Sequence, residues 1–336
     1  MTTNTATELG HRMLGTTGLS VSEIGFGGWA IGGPFEIGGV PLGWSNTSDE
    51  ESMLAIRRAR DLGVNFFDTS DIYGLGRSES LLGIVLSRAR EKLVISTKVG
   101  NLRATGGKFR KDFSRKHIFF AIDGSLKRLR TDYVDLYQVH NPTIADLETE
   151  EVQEAMEMLQ ETGKIRFWGV SVTTPRDGLE VVRRGWGHTL QVLYNVLNQE
   201  PADELFPLAK ERGYGVIARV PLASGMLSGK YHASTVFPAN DVRQGFLTEK
   251  RLREAMERVD EVKGIVSGHC RTLGEAALRF VLAHDAVATT VPGARNAHQV
   301  EQNVAAAREA LPAEIVDRLR ARLGDYNFYA RHSIRV

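Results

Sequence analysis

Several things are scarce in this chain of 336 residues. It has one cysteine, Cys270, which excludes an internal disulfide and any metal site built from several thiolates. No apolar run approaches the roughly 18 residues that a membrane span needs. Lysine and arginine number 42 against 41 aspartates and glutamates, so there is no basic surplus of the kind nucleic acid requires. Met1 to Gly10 is polar and lacks the apolar core of a signal peptide; these residues are expected to be flexible. Asn46-Thr47-Ser48 matches a glycosylation acceptor, but without a secretory signal the match carries no weight. The expectation is a cytoplasmic globular protein that binds neither membrane nor nucleic acid. Its oligomeric state is not legible.

What the chain does have is a set of short apolar runs, each ending in a residue able to do proton chemistry. Val64-Asn65-Phe66-Phe67 runs into Asp68, with Tyr73 just beyond. Leu93 to Thr97 runs into Lys98, and Val134 to Val139 into His140. Such runs, separated by amphipathic helical stretches, read as buried parallel strands. In a parallel α/β barrel the carboxyl ends of the strands converge on one face, where active sites are built. An acid, a phenol, an ammonium and an imidazole would then meet in space.

The rest of the chain supports a barrel. Strands are expected near 24–28, 64–68, 93–97, 134–139, 166–171, 190–194, 215–219 and 287–291. Helices are expected near 50–62, 78–88, 115–129, 150–162, 175–184, 203–211, 272–283 and 297–308. Eight alternating pairs close a (β/α)₈ TIM barrel, for which about 250 residues suffice, so one domain over 1–336 absorbs the length. Gly63, Gly163 and Gly213 each follow a helical stretch and precede a strand, as a glycine that stops a helix does. Ser48 and Glu51 have capping-box spacing. Ile118, Ile122, Leu126 and Leu129 give one helix an apolar face, and Val152, Ala155, Met156 and Leu159 give another. An N-terminal β-hairpin spans Arg12 to Ser22 and plugs the barrel's bottom. A long loop insertion follows strand seven, near 222–270, with Thr248 to Ile265 helical. A loop of that length on the catalytic face reads as a lid or cofactor clamp. An extra C-terminal helix covers Pro312 to Leu323, before the aromatic end Tyr326-Asn327-Phe328-Tyr329.

Together, Asp68, Tyr73, Lys98 and His140 suit protonation of a carbonyl oxygen that is receiving a hydride. Tyrosine is a weak acid at neutral pH. A neighbouring ammonium lowers its pKa, and an aspartate holds that ammonium charged and aimed. Histidine can hydrogen-bond the carbonyl and polarise it.

From Leu14-Gly15 to about Ala307 the chain resembles the aldo-keto reductase superfamily. The matching segments include Phe67-Asp68-Thr69-Ser70-Asp71-Ile72-Tyr73-Gly74, Ser78 to Gly83, Ser96-Thr97-Lys98-Val99-Gly100, Asp132 to His140 and Gly169-Val170-Ser171-Val172. The resemblance implies a barrel that reduces an aldehyde or ketone with NADPH, NADH serving less well, without a Rossmann domain or metal. It assigns Asp68, Tyr73, Lys98 and His140 as the catalytic tetrad, with Tyr73 the general acid. Its small-molecule carbonyl substrate is not named by the sequence.

The resemblance also places cofactor residues. Ser171 and Gln191 sit where the nicotinamide carboxamide is held, although Val172 stands where the family usually has asparagine. Gly28 lies in the glycine-rich turn near the nicotinamide; Trp29 walls the pocket there or simply packs. Leu222, Ser224, Gly225 and Lys230 belong to the segment that closes over the pyrophosphate. Gly293, Arg295, Gln299 and Asn303 go to the adenosine end, with Arg295 a site for the ribose 2′-phosphate. Gln299 also has capping-box spacing from Asn296 and can serve the helix instead. Arg219 departs from the family pattern, which places an aromatic ring against the nicotinamide. It can anchor an anionic substrate or the pyrophosphate, disfavour the cationic oxidised nicotinamide, or pair with a loop carboxylate such as Asp241. Two rival functions stand beside reduction: a cofactor-binding regulatory subunit like the potassium-channel β subunits, and a Schiff-base aldolase using Lys98.

Overall fold

The computed structural model describes residues 9–329. Eight parallel strands form one sheet: β1 (Phe26–Gly27), β2 (Phe66–Asp68), β3 (Val94–Val99), β4 (Val134–His140), β5 (Ile165–Ser171), β6 (Thr189–Leu193), β7 (Gly215–Arg219) and β8 (Val287–Thr290). They are hydrogen-bonded in sequence order. The sheet closes on itself: Gly25 N donates to Thr290 O at 2.8 Å and Thr290 N to Glu23 O at 3.0 Å. Parallel bridges join Ile24 to Thr290 and Gly27 to Gly293. The architecture is a (β/α)₈ barrel, as expected.

Helices follow the strands: α1 (Asp49–Asp61), α2 (Arg77–Leu86), α3 (Arg115–Leu129), α4 (Glu150–Glu161), α5 (Pro175–Arg184), α6 (Leu205–Glu211), α7 (Leu273–Leu282) and α8 (Ala297–Ala306). Their apolar faces are those the periodicity picks out. Val152, Ala155, Met156 and Leu159 of α4 are fully buried, as are Ile118 and Ile122 of α3, while Leu126 is partly buried. Gly63, Gly163 and Gly213 take φ of 90°, 71° and 73°, the left-handed conformation that ends α1, α4 and α6. Ser48 caps α1 by accepting from Glu51 N.

The N-terminal hairpin pairs His11–Met13 with Ser20–Ser22. Its Leu14, Leu19 and Val21 pack against Phe66, Val94, Leu136 and Ile217, which are interior residues of four strands. The hairpin therefore plugs one end of the barrel with hydrocarbon. The insertion carries a helix at Glu249–Val266, and the C-terminal helix is Ala313–Leu323. Two small hairpins were not expected, Glu36–Ile37 with Val40–Pro41 and Asn101–Arg103 with Phe109–Lys111. The first turns through Gly38 and Gly39, both at positive φ, which a two-residue hairpin turn demands. Among the described residues, no helix is long and apolar enough to cross a membrane.

Candidate active site

Asp68 is the last residue of β2, His140 of β4, Ser171 of β5 and Arg219 of β7, while Lys98 is the penultimate residue of β3. Barrel closure therefore brings them to one end. Tyr73 sits in the loop after β2, held by Tyr73 N to Ser70 O at 3.1 Å and Ser78 N to Tyr73 O at 3.2 Å. The first turn of α2, which follows that loop, is tied to the residue after β1 because Ser78 Oγ donates to Gly28 O at 2.9 Å.

Asp68 is the hub. Its Oδ2 accepts from Lys98 Nζ at 2.6 Å. Its Oδ1 accepts from Ser96 Oγ at 3.0 Å, Gln191 Nε2 at 3.0 Å and Gln138 Nε2 at 3.1 Å. These four donors offset the cost of burying the Asp68 carboxyl. Lys98, with no solvent exposure, also donates to Thr69 O at 2.7 Å, and its Nζ lies 5.1 Å from the centre of the Tyr73 ring. Burial works against the Lys98 charge, but Asp68 and then Tyr73 outweigh it, and the ammonium is held above its ordinary value. Burial pushes the Tyr73 phenol up, and Lys98 pulls it back only in part. The expectation of a net lowered phenol is therefore not met here, because desolvation of the phenolate exceeds the help of the ammonium.

His140 makes an edge-on contact with Tyr73, ring centres 5.9 Å apart. Burial, then the positive charges of Lys98, Arg219 and Lys111, hold its imidazole well below the usual histidine value, so the ring is neutral at pH 7. Its Nδ1 lies 3.2 Å from Ser70 Oγ. Trp29 stacks beside Tyr73 at 6.2 Å with the rings 25° apart, and Trp44 meets Trp29 edge-on at 5.2 Å. Trp29 thus walls the pocket, rather than only packing.

These groups close one end of a cleft of about 250 Å³. It runs past Arg219, Leu222, Ser224, Gly225 and Lys230 to Gly293, Arg295, Gln299 and Asn303, with Gly28, Trp29 and Gln191 also in its wall. Lys98 and Ser171 lie behind the wall, not in it. Ser171 Oγ reaches Gln191 Oε1 at 3.5 Å, while Gln191 Nε2 is spent on Asp68. Gln299 serves its helix as its spacing allows: its N–H donates to Asn296 Oδ1 at 3.0 Å, and its Oε1 accepts from Arg295 N at 2.9 Å. Arg295 donates through one nitrogen to Ser45 O at 2.9 Å. Its guanidinium therefore ties the loop after β1 to the far end of the cleft.

Beyond β7 the backbone is strained. Val220, Ala223 and Ser224 take φ of 57°, 47° and 55°, a region that disfavours side chains. Ser224 Oγ is braced by the Tyr329 hydroxyl at 2.6 Å, and Val220 O accepts from Asn195 Nδ2 at 3.0 Å. Backbone bent in this way can present its amides to an anion.

Arg219 lines the cleft, and one of its terminal nitrogens donates to Val172 O at 3.2 Å. Its Nε is buried without a partner among the described residues. Asp241 is not its counter-ion. That carboxylate accepts from Arg243 Nε at 2.7 Å, from a second Arg243 nitrogen at 2.8 Å and from Ser45 Oγ at 2.8 Å. The Arg243 guanidinium lies 4.2 Å from the Phe237 ring and 4.7 Å from that of Trp44.

Arg243, Trp44, Tyr329 and Gln138 were not foreseen in the site. The first three come from loops and the tail, which have no periodicity to read. Gln138 could have been found, since alternation along β4 puts it on the same side as His140, two residues on. Among the described residues, no group of three or more His, Cys, Asp or Glu could hold a metal ion.

The model of a family described as the aldo/keto reductase family matches residues 23–323. The chain is 32% identical to the uncharacterized oxidoreductase YqkF of Bacillus subtilis, over 88% of its own length and 90% of the relative's. It is 31% identical to a putative voltage-gated potassium channel subunit β of Schizosaccharomyces pombe, covering 92% and 89% of the two chains. Aldo-keto reductase AKR11C1 from Bacillus halodurans, solved in its holo form, superposes with a TM-score of 0.78 at 33% identity, covering 94% of this chain and 96% of that one.

Proposed function

The chain belongs to the aldo/keto reductase family, NAD(P)H-dependent oxidoreductases that act on small carbonyl compounds, and on that premise we propose that it reduces an aldehyde or ketone to the alcohol with NADPH, Tyr73 delivering the proton. One observation carries the reading: Asp68, Tyr73 and His140 converge in the wall of a cleft, with Lys98 just behind them, held between Asp68 and Tyr73.

The residues present fit a dinucleotide. Arg219, Lys230 and Arg295 bring positive charge to the cleft wall. The bent backbone of 222–225 and Lys230 suit a pyrophosphate, and Arg295 suits a 2′-phosphate. At the turn before the tetrad a side chain has no room: a Cβ on Gly28 would lie 2.6 Å from Ser78 Oγ and 2.9 Å from Asp68 O. When bound, the reduced nicotinamide supplies the hydride. Tyr73 gives its proton to the carbonyl oxygen as charge develops there, and the adjacent Lys98 ammonium stabilises the phenolate left behind. His140, neutral, donates a hydrogen bond to the same oxygen through Nε2 when Ser70 Oγ donates to Nδ1. Burial, with Glu79 adding to it, pushes the Asp71 carboxyl up to about 8. Ser70 Oγ lies 3.2 Å from Asp71 Oδ1 and 3.2 Å from His140 Nδ1, and as the Asp71 carboxyl takes up a proton it accepts less strongly and leaves the serine hydrogen for His140. Trp29 and Trp44 line this end with aromatic surface beside Tyr73.

The test is an NADPH-oxidation screen across aldehydes, ketones and sugar-derived carbonyls, run beside NADH. In the Tyr73→Phe variant, turnover of any substrate found should fall at least about 10²-fold, the range for a general acid, with NADPH affinity little changed. Near-native turnover would overturn the role of Tyr73. The likeness to a potassium-channel β subunit supports a second reading, a regulatory cofactor-binding subunit. Slow cofactor oxidation with no carbonyl turned over would favour it.

A further inference from the structure

Resting on the cofactor reading above, we infer that Arg219 makes the cleft discriminate between the two oxidation states of the nicotinamide, binding the reduced ring in preference to the oxidised one. The charges that face this end of the cleft carry the inference. Asp68 and Lys98 form an ion pair at 2.6 Å and cancel. Tyr73, His140 and Tyr329 are uncharged at neutral pH: burial raises both phenols and keeps the imidazole unprotonated. Arg219 remains, with no carboxylate bonded to it among the described residues. Among those residues it donates to the neutral carbonyl of Val172, and that bond aims the guanidinium across the ends of β5 and β7. Among the described residues, the catalytic end is therefore left with one positive charge bonded to no carboxylate; the other nearby cation, Lys111, sits on Asn141 O at 2.5 Å and has Asp146 and Asp177 acting on it.

A ring that hands hydride to a carbonyl held by Tyr73 and His140 must lie in this same small volume. Reduced, the ring is neutral; oxidised, it is a cation. The phosphate charges are the same in both forms, so they drop out of the ratio of the two affinities. What is left in that ratio is the ring's own interaction with its surroundings. At an effective dielectric of about 20, two unit positive charges even roughly 10 Å apart repel enough to shift an affinity about tenfold. An aromatic residue in this place would stack on either form of the ring without that penalty.

The experiment is a set of equilibrium titrations of the full chain with NADPH and with NADP⁺, followed by intrinsic tryptophan fluorescence without any carbonyl substrate. The parent should bind NADPH more tightly than NADP⁺. In Arg219→Gln the ratio of the NADP⁺ to the NADPH dissociation constant should fall at least about tenfold, equivalent to about 30 mV in the bound two-electron couple. Arg219→Lys, which keeps the charge but not the planar fork, should retain most of the ratio. A ratio unchanged in the glutamine variant overturns the inference. Equal weakening of both forms also overturns it, by placing the guanidinium on the phosphates. Failure of the parent to bind either form would be a different result: it removes the cofactor reading itself, and this inference with it.

Discussion

The two ends of the barrel are built from the same strands and obey opposite rules. At the end plugged by the hairpin, the inward residues are Phe66 of β2, Val94 of β3, Leu136 of β4 and Ile217 of β7, packed on Leu14 and Val21. Two residues further along the same strands stand Asp68, Ser96, Gln138 and Arg219; two further still, Lys98 and His140. Side chains two apart share a face. β3 and β4 thus pass from hydrocarbon to a hydrogen-bonding group to an ionisable one, and β2 and β7 from hydrocarbon directly to an ionisable one, at about 7 Å per step of two residues. The plugged end is held by apolar burial, which is favourable outright. The open end buries an ion pair, which replacement by hydrocarbon would not necessarily weaken.

The largest expected effect comes from breaking the ion pair. Lys98→Met leaves Asp68 buried without its counter-ion and should cost about 3–5 kcal/mol in denaturant unfolding. It should also suppress turnover and raise the apparent pKa of the catalytic acid. An unchanged pH–rate profile in the folded variant would separate Lys98 from Tyr73.

Leu14→Ala opens a cavity in the plug and should cost about 2–5 kcal/mol, read from the same unfolding curves. Turnover per folded molecule and KM should stay at parent values. If catalysis fell along with stability, the two ends would not be independent.

A third substitution sharpens the distinction within the cleft. Arg295→Ala should weaken NADPH binding by about 1.5–3 kcal/mol, the worth of a charged hydrogen bond, and leave NADH binding nearly unchanged. Equal losses for both cofactors would move Arg295 from the 2′-phosphate to the shared part of the molecule.

The smallest effect is in pH. Because the His140 value is depressed, the unfolded chain takes up this proton more readily than the folded one. Its contribution to stability is full above about pH 6.5, the ordinary histidine value, and is lost as the pH falls below it. One such group tilts stability by at most about 1.4 kcal/mol per pH unit. His117 and His284 are depressed in the same direction, so the informative quantity is the difference between parent and His140→Gln. That variant should lose less stability than the parent between pH 7.5 and 5.5. Parallel curves would mean that His140 takes up its proton without cost.

Local patterns along the chain were enough for the eight strand–helix pairs, the glycine stops after α1, α4 and α6, and the family to which the chain belongs. They also singled out Asp68, Tyr73, Lys98 and His140 as strand-end or near-strand-end groups. A strand or a helix face is set by residues within a turn or two of one another, so its period is written in consecutive letters. Which partner a side chain finds was decided by closure of the barrel. Asp241 went to Arg243 and Ser45 instead of Arg219, Ser171 fell behind the cleft wall, and Tyr329 came from the tail to brace Ser224. The Tyr73 phenol moved up rather than down for the same reason, since burial is a property of everything packed around it. Apart from the local Asp241–Arg243 pair, these contacts join positions 20 to 196 residues apart, and only the closed barrel brings them within reach of a hydrogen bond.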